Sequence, residues 1–188
     1  MVKKILQKEE KVLREIAKNV SIDEIKSEKI QKIISEMKEA LNSQDDGVAI
    51  AAPQIGYSLR IFVVSKKVEE IVTEAKLHAL GVSQELIDEE LKKVGSKDMV
   101  FINPVMKKLS KDKKNVEEGC LSVRYLYGLV KRSTKATVEA LDENGRKFQR
   151  GGTGLLAQIF QHEMDHLDGV LFIDKASNVE EIPPEKIK

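Results

Sequence analysis

His162, Glu163 and His166 stand together as His-Glu-Met-Asp-His. Four residues along an α-helix turn by about 400° and rise by about 6 Å, so both imidazoles leave one helix face close enough to share a metal ion. Two nitrogens fill only half of a tetrahedral site, and a catalytic centre needs a third protein ligand plus a position open to water. Three possibilities for that ligand can be compared. The extension His-x-x-Gly-x-x-His keeps its glycine at Gly169 but has Phe172 where the histidine would stand. A downstream glutamate would have to be Glu180 or Glu181, in a polar stretch. Cys120, the single cysteine, would supply a thiolate. The remaining histidine, His78, lies among charges and reads as a solvated surface residue.

The elements that must position these groups follow from periodicity. Leu155, Ile159, His162 and His166 recur at i, i+4, i+7 and i+11, which places them on one face of a helix expected over residues 154–167 and stopped by Gly169. Two N-terminal helices are expected, one through Val12, Leu13, Ile16, Ala17 and Val20, the other through Ile30, Ile33, Ile34, Met37 and Leu41 with Ser27 as N-cap. Residues 47–56 (GVAIAAPQIG) are small and uncharged, and imply close packing. Residues 60–64, 99–103, 127–131, 135–141 and 146–149 read as strands, the last two joined by an Asn144-Gly145 hairpin. The lysine-rich residues 107–114 read as a solvated turn, and residues 66–98 as a charged insertion forming one or two surface helices. A short apolar run at 170–173 precedes a polar tail with Pro183 and Pro184.

Composition narrows the function. A length of 188 residues fits one domain, here 1–188. With 32 basic against 31 acidic residues, a net charge of +1 argues against a dedicated nucleic-acid binder. No apolar run approaches the ~18 residues of a membrane span. One cysteine excludes an intrachain disulfide, and the first ten residues carry no export signal, so cytoplasmic residence is expected.

Three segments in order, residues 47–54 (GVAIAAPQ), 118–122 (EGCLS) and 161–169 (QHEMDHLDG), resemble the signature motifs of the peptide deformylases. These are metallohydrolases that remove the formyl group from nascent N-formylmethionyl chains. Residues 11–20, 101–104 and 169–172 are also similar to that family, whereas 66–98 departs from its spacing. With the patterning, the resemblance implies an α+β fold of small antiparallel sheets around a central helix carrying the His-Glu-x-x-His motif. It implies Cys120, His162 and His166 as ligands of one divalent ion, Fe2+ natively, with Zn2+, Ni2+ or Co2+ able to substitute. Glu163 would be the acid/base, and the Gln54 side chain and Leu121 backbone N–H would stabilise the formyl oxyanion. Gly47, Val48, Ala49, Leu155 and Ile159 would bind substrate, with Val48, Leu155 and Ile159 lining a methionine pocket and the backbone around Ala49 pairing with the peptide. The implied partners are N-formylmethionyl nascent peptides and the ribosome, with no nucleic-acid specificity and no membrane.

Two departures bear on that likeness. Ala49 stands where the family motif normally has a second glycine, and Arg124-Tyr125-Leu126 follows residues 118–123 where proline and glycine are common. The rival readings are a zincin-type peptidase and a catalytically idle ribosome- or peptide-binding protein. Intact Gln54 and Glu163 count against the idle binder, which has no use for a general base.

Overall fold

The computed structural model describes residues 2–95 and 97–182, so the Pro183-Pro184 tail lies outside the described residues. A five-stranded antiparallel sheet takes the order β1-β2-β3-β6-β7. Its strands are β1 (Ala49–Ala51), β2 (Ile61–Val64), β3 (Met99–Leu109), β6 (Lys135–Leu141) and β7 (Lys147–Thr153). A second sheet has the order β4-β5-β8, from β4 (Lys113–Gly119), β5 (Leu126–Ser133) and β8 (Ser177–Glu181). The α+β class with antiparallel sheets is as the sequence implies.

Two helices sandwich the larger sheet. In α1 (Glu28–Asn42) the Ser27 hydroxyl caps the first turn by accepting from the Ile30 N–H at 3.3 Å. Ile30, Ile33, Ile34, Met37 and Leu41 then pack on Ile61, Val63 and Ile102. On the other face Phe62, Val64, Phe101 and Val138 meet Leu156, Ala157, Ile159 and Phe160 of α4 (Gly154–Leu167). This explains why β2 is apolar at every position: alternate side chains point at opposite helices and neither face meets water. Phe62 and Phe101 stack at 4.4 Å between ring centroids, with Phe160 edge-on to Phe101 at 5.4 Å.

The helix expected over residues 12–20 is not formed. Lys11–Arg14 makes a single 3-10 turn, Glu15 is extended, the Ala17 N–H bonds the Leu167 carbonyl at 2.9 Å, and Lys18 bridges Leu59. Leu13, Ala17 and Val20 are buried in three different clusters, whereas Ile16 is 74% exposed. The helical spacing is that of three anchors on a strap that crosses the molecule. Gly169 passes close under it: its φ is +74°, and a Cβ there would lie 2.7 Å from the Arg14 carbonyl oxygen.

The remaining expectations differ mainly in extent. Strand β3 runs on through Pro104, with its register shifted between Ile102 and Val105. There Asn103 adopts φ 50° and its side-chain amide clasps both backbone groups of Val20 at 2.8 Å. The lysine-rich segment contributes to β3 and β4, so only its middle is a turn. Residues 66–98 hold two helices, α2 (Lys67–Ala79) and α3 (Gln84–Leu91), anchored by fully buried Val68 and Ile87. His78 is exposed on α2, as expected. Strand β8, every residue of it exposed, has no apolar alternation to announce it and exists by pairing with β5.

Because the stacked ring of Phe101 fills the space between the sheet and α4, Phe101→Ala is expected to lower the unfolding free energy by about 3–5 kcal/mol, measured by urea denaturation.

Candidate active site

Helix α4 carries His162, Glu163 and His166, and the loop after β4 brings Cys120 to them. One ligand atom from each of Cys120, His162 and His166 lies within 4.8 Å of the others. Cys120 Sγ is 3.2 Å from His166 Nε2, and the two imidazoles stand 5.0 Å apart, tilted by 70°. The other candidates for third ligand lie elsewhere. Phe172 stacks on the His162 ring at 6.3 Å, and Glu180 and Glu181 are exposed in β8.

His162 is oriented from behind. Its Nδ1 is 2.9 Å from Glu118 Oε2, which leaves Nε2 facing the cluster. Glu118 in turn receives two bonds from Arg132, at 2.7 and 2.9 Å, and Arg132 also donates to Asp165 at 2.7 Å, where Lys175 arrives from the far side. Burial alone would raise the Glu118 carboxyl, but the Arg132 and His162 hydrogen bonds outweigh it and hold it at about 2. Burial likewise opposes a proton on His162, yet Cys120, Glu118 and Glu163 push that imidazole well above its ordinary range. His166 moves well below its ordinary range through burial and the charges of His162 and Arg132. Glu118, Arg132 and Asp165 were not singled out in the sequence. The available signal was Arg132 itself, a charge at the inward position of a strand whose other inward residues are Gly128 and Val130.

The cleft beside the cluster encloses about 290 Å³, walled by Val48, Ala49, Leu155 and Ile159 with Gln54, Leu121 and Glu163. Gln54 sits in the 3-10 turn Ala52–Ile55, where its Oε1 accepts from the Ala51 N–H at 2.8 Å. Its Nε2 therefore points at Ser122 Oγ, 3.0 Å away, and at Cys120 Sγ, 3.6 Å away. Gly47 is buried outside the wall, and a Cβ there would touch Leu41 at 3.0 Å, which gives the glycine a packing role. Ala49 is accommodated in β1, an edge strand of its sheet. Arg124 projects along the cleft mouth and binds both Asp46 carboxylate oxygens.

The donor set fits a divalent cation. A thiol and two imidazoles form a borderline-soft trio suited to Zn2+, Fe2+, Ni2+ or Co2+, and burial favours the neutral, ligating form of His166. Glu163 Oε2 is buried with no hydrogen-bond partner among the described residues, and burial lifts its carboxyl to about 7. A carboxylate stripped of partners in this way is costly unless a ligand brings one.

The sequence profile of the polypeptide deformylases matches residues 2–181. The chain belongs to that family. It is 34% identical over 173 residues to peptide deformylase 2 of Clostridium acetobutylicum, an alignment covering 92% of this chain and 94% of that one. It is 40% identical over 164 residues to peptide deformylase 1A, chloroplastic/mitochondrial, of Arabidopsis thaliana, covering 87% of this chain but only 57% of the plant protein's length. The fold superimposes on a Met-Ala-Ser-bound class I type b peptide deformylase from Acinetobacter baumannii with a TM-score of 0.73 and 28% identity, over 93% of this chain and 98% of that one. Peptide deformylases are metalloenzymes, in keeping with the Cys120, His162 and His166 cluster.

Glu118 titrates at about 2 in the folded protein against an ordinary 4.5. A depressed value adds stability above the ordinary one, and that stability is lost as pH falls. Metal-free protein is therefore expected to lose unfolding free energy between about pH 4.5 and 2, with a shallower fall in Glu118→Gln, followed by urea denaturation at each pH.

Proposed function

We propose that this chain hydrolyses the formyl amide of N-formylmethionyl peptides, releasing formate and a free amino terminus. The observation that carries the reading is the convergence of Cys120, His162 and His166 with Glu163 and Gln54 beside an apolar-walled cleft. Cys120, His162 and His166 would hold one divalent ion, whose Lewis acidity polarises the carbonyl and lowers the pKa of a water. Glu163 accepts a proton from the attacking water and delivers it to the departing nitrogen, so that water adds to the formyl carbon as the carbon–nitrogen bond breaks. The Gln54 Nε2–H and Leu121 N–H donate to the oxygen on which negative charge develops, and a fixed donor costs no reorganisation at that moment. Gln54 is suited to this because its other side-chain end is already tied to the Ala51 N–H. Val48, Leu155 and Ile159 take the methionine side chain, and the edge of β1 around Ala49 receives the extended peptide. The product-like Met-Ala-Ser held by the Acinetobacter baumannii relative supports that substrate class.

The finer assignments are our own reading. Fe2+ is the native ion, since a thiolate with two imidazoles accepts it and the family likeness favours it. Residues 1–188 form one catalytic unit in which 66–98 are an insertion. The protein acts in the cytoplasm and meets its substrate at the ribosome. Among the described residues no helix is long and apolar enough to cross a membrane.

Formate release from formyl-Met-Ala-Ser by anaerobically purified protein tests the activity. Glu163→Ala is expected to keep its metal and lose about 100- to 10,000-fold in kcat; a mutant that retains wild-type turnover would overturn the assignment. Cys120→Ser should weaken metal binding, whereas a zincin-type peptidase would retain it. Iron-loaded enzyme is expected to decay faster in air than under argon through oxidation of the iron or the thiolate, and equal half-lives would sink the ferrous reading.

A further inference from the structure

Residues 5–7 cross behind the cleft and touch the backbone of both proposed oxyanion donors. The Leu6 N–H donates to the Gln54 carbonyl at 2.8 Å, and Gln7 Nε2 donates to the Leu121 carbonyl at 3.0 Å. The other end of the same side chain, Gln7 Oε1, accepts from the Arg124 N–H at 3.3 Å. One amide thus spans the loop that follows Cys120. The segment is itself anchored, because Ile5 packs on the cluster containing Leu121 and Ile55, and Leu6 on the cluster containing Val123.

We propose that Gln7 is a positioning residue for the reaction, aiming the Leu121 N–H and the Ser122 N–H by holding the peptide unit between them. That unit is planar, so fixing its two ends fixes its rotation. Gln7 holds the carbonyl end, and at the other end the Ser122 N–H points at Cys120 Sγ, 3.4 Å away. With the second plane of Leu121 fixed, its own N–H can swing only about φ, and the Val123 N–H on the Cys120 carbonyl at 3.0 Å restricts that swing. The same arrangement sets a hydrogen bond from the Ser122 N–H to the Cys120 sulfur, which orients that side chain. Gln7 lies outside the cleft wall and acts only through the loop.

This inference rests on the deformylase reading, and the test separates the two. Gln7→Leu removes both hydrogen bonds at similar volume, while Gln7→Glu keeps an acceptor for Arg124 and loses the donor to Leu121. At equal zinc content each is expected to lower kcat on formyl-Met-Ala-Ser about tenfold with KM changed by less than about twofold, because the lost interaction belongs to the transition state. In 15N-labelled protein, both metal-free and zinc-loaded, the Ser122 amide proton should shift upfield and exchange faster. A merely structural role would lower Tm and leave kcat per loaded molecule and the Ser122 amide at wild-type values, which would overturn the proposal. Wild-type protein without formate release would sink the deformylase reading, and the amide shift would still decide whether Gln7 holds the loop.

Discussion

Arg132 reaches from β5 with two bonds to Glu118 and one to Asp165, and this buried ion network is the constraint on which the candidate centre depends. Burying Glu118 as an anion is unfavourable by itself, and losing its partner would leave an uncompensated charge in the interior. The guanidinium keeps the carboxylate ionised, and the carboxylate fixes the His162 ring so that Nε2 faces Cys120 and His166. Asp165 belongs to α4, and Lys175 closes the group from the chain beyond it, so two cations balance two carboxylates. A single side chain thereby ties β4, β5 and α4 into the relation that the proposed ligand set requires.

Packing supplies the second constraint. Helix α4 buries Leu156, Ala157 and Phe160 on the larger sheet and keeps its polar residues toward the smaller one, where Gln161 bonds both backbone groups of Ser133. The helix is thus held between an apolar and a polar partner, and its rotation about its own axis is set from both sides. That is why Leu155 and Ile159 reach the cleft along with His162 and Glu163.

The proposed oxyanion donors come from parts of the chain remote in sequence and are braced from outside the cleft. Gln54 is fixed by its own turn and Ser122, while the loop after Cys120 is held by Gln7 near the N-terminus. Donors that do not move when charge develops are the physical basis of transition-state selectivity.

Local pattern was enough to read the helix that carries His162 and His166, α1 with its Ser27 cap, the strands β2 and β6, and the Cys120 and Gln54 motifs. Each of these depends on spacing along one element, on a short turn or on a contiguous string, and all three are properties of neighbouring residues. Residues 12–20 show where this fails, since anchors into three separate clusters mimic a helical stripe. Strand β8 fails for the opposite reason, being an exposed edge that carries no pattern of its own. Among the third-ligand possibilities weighed from the residues, the family resemblance points to Cys120, and the folded chain sets its Sγ 3.2 Å from His166 Nε2 while Phe172 stacks on His162. The sequence by itself determined which groups could do the chemistry. Only the tertiary structure decided which side chains hold them in place, because the Arg132–Glu118 and Arg124–Gln7 hydrogen bonds join residues 14 and 117 positions apart and leave no periodic trace along the chain.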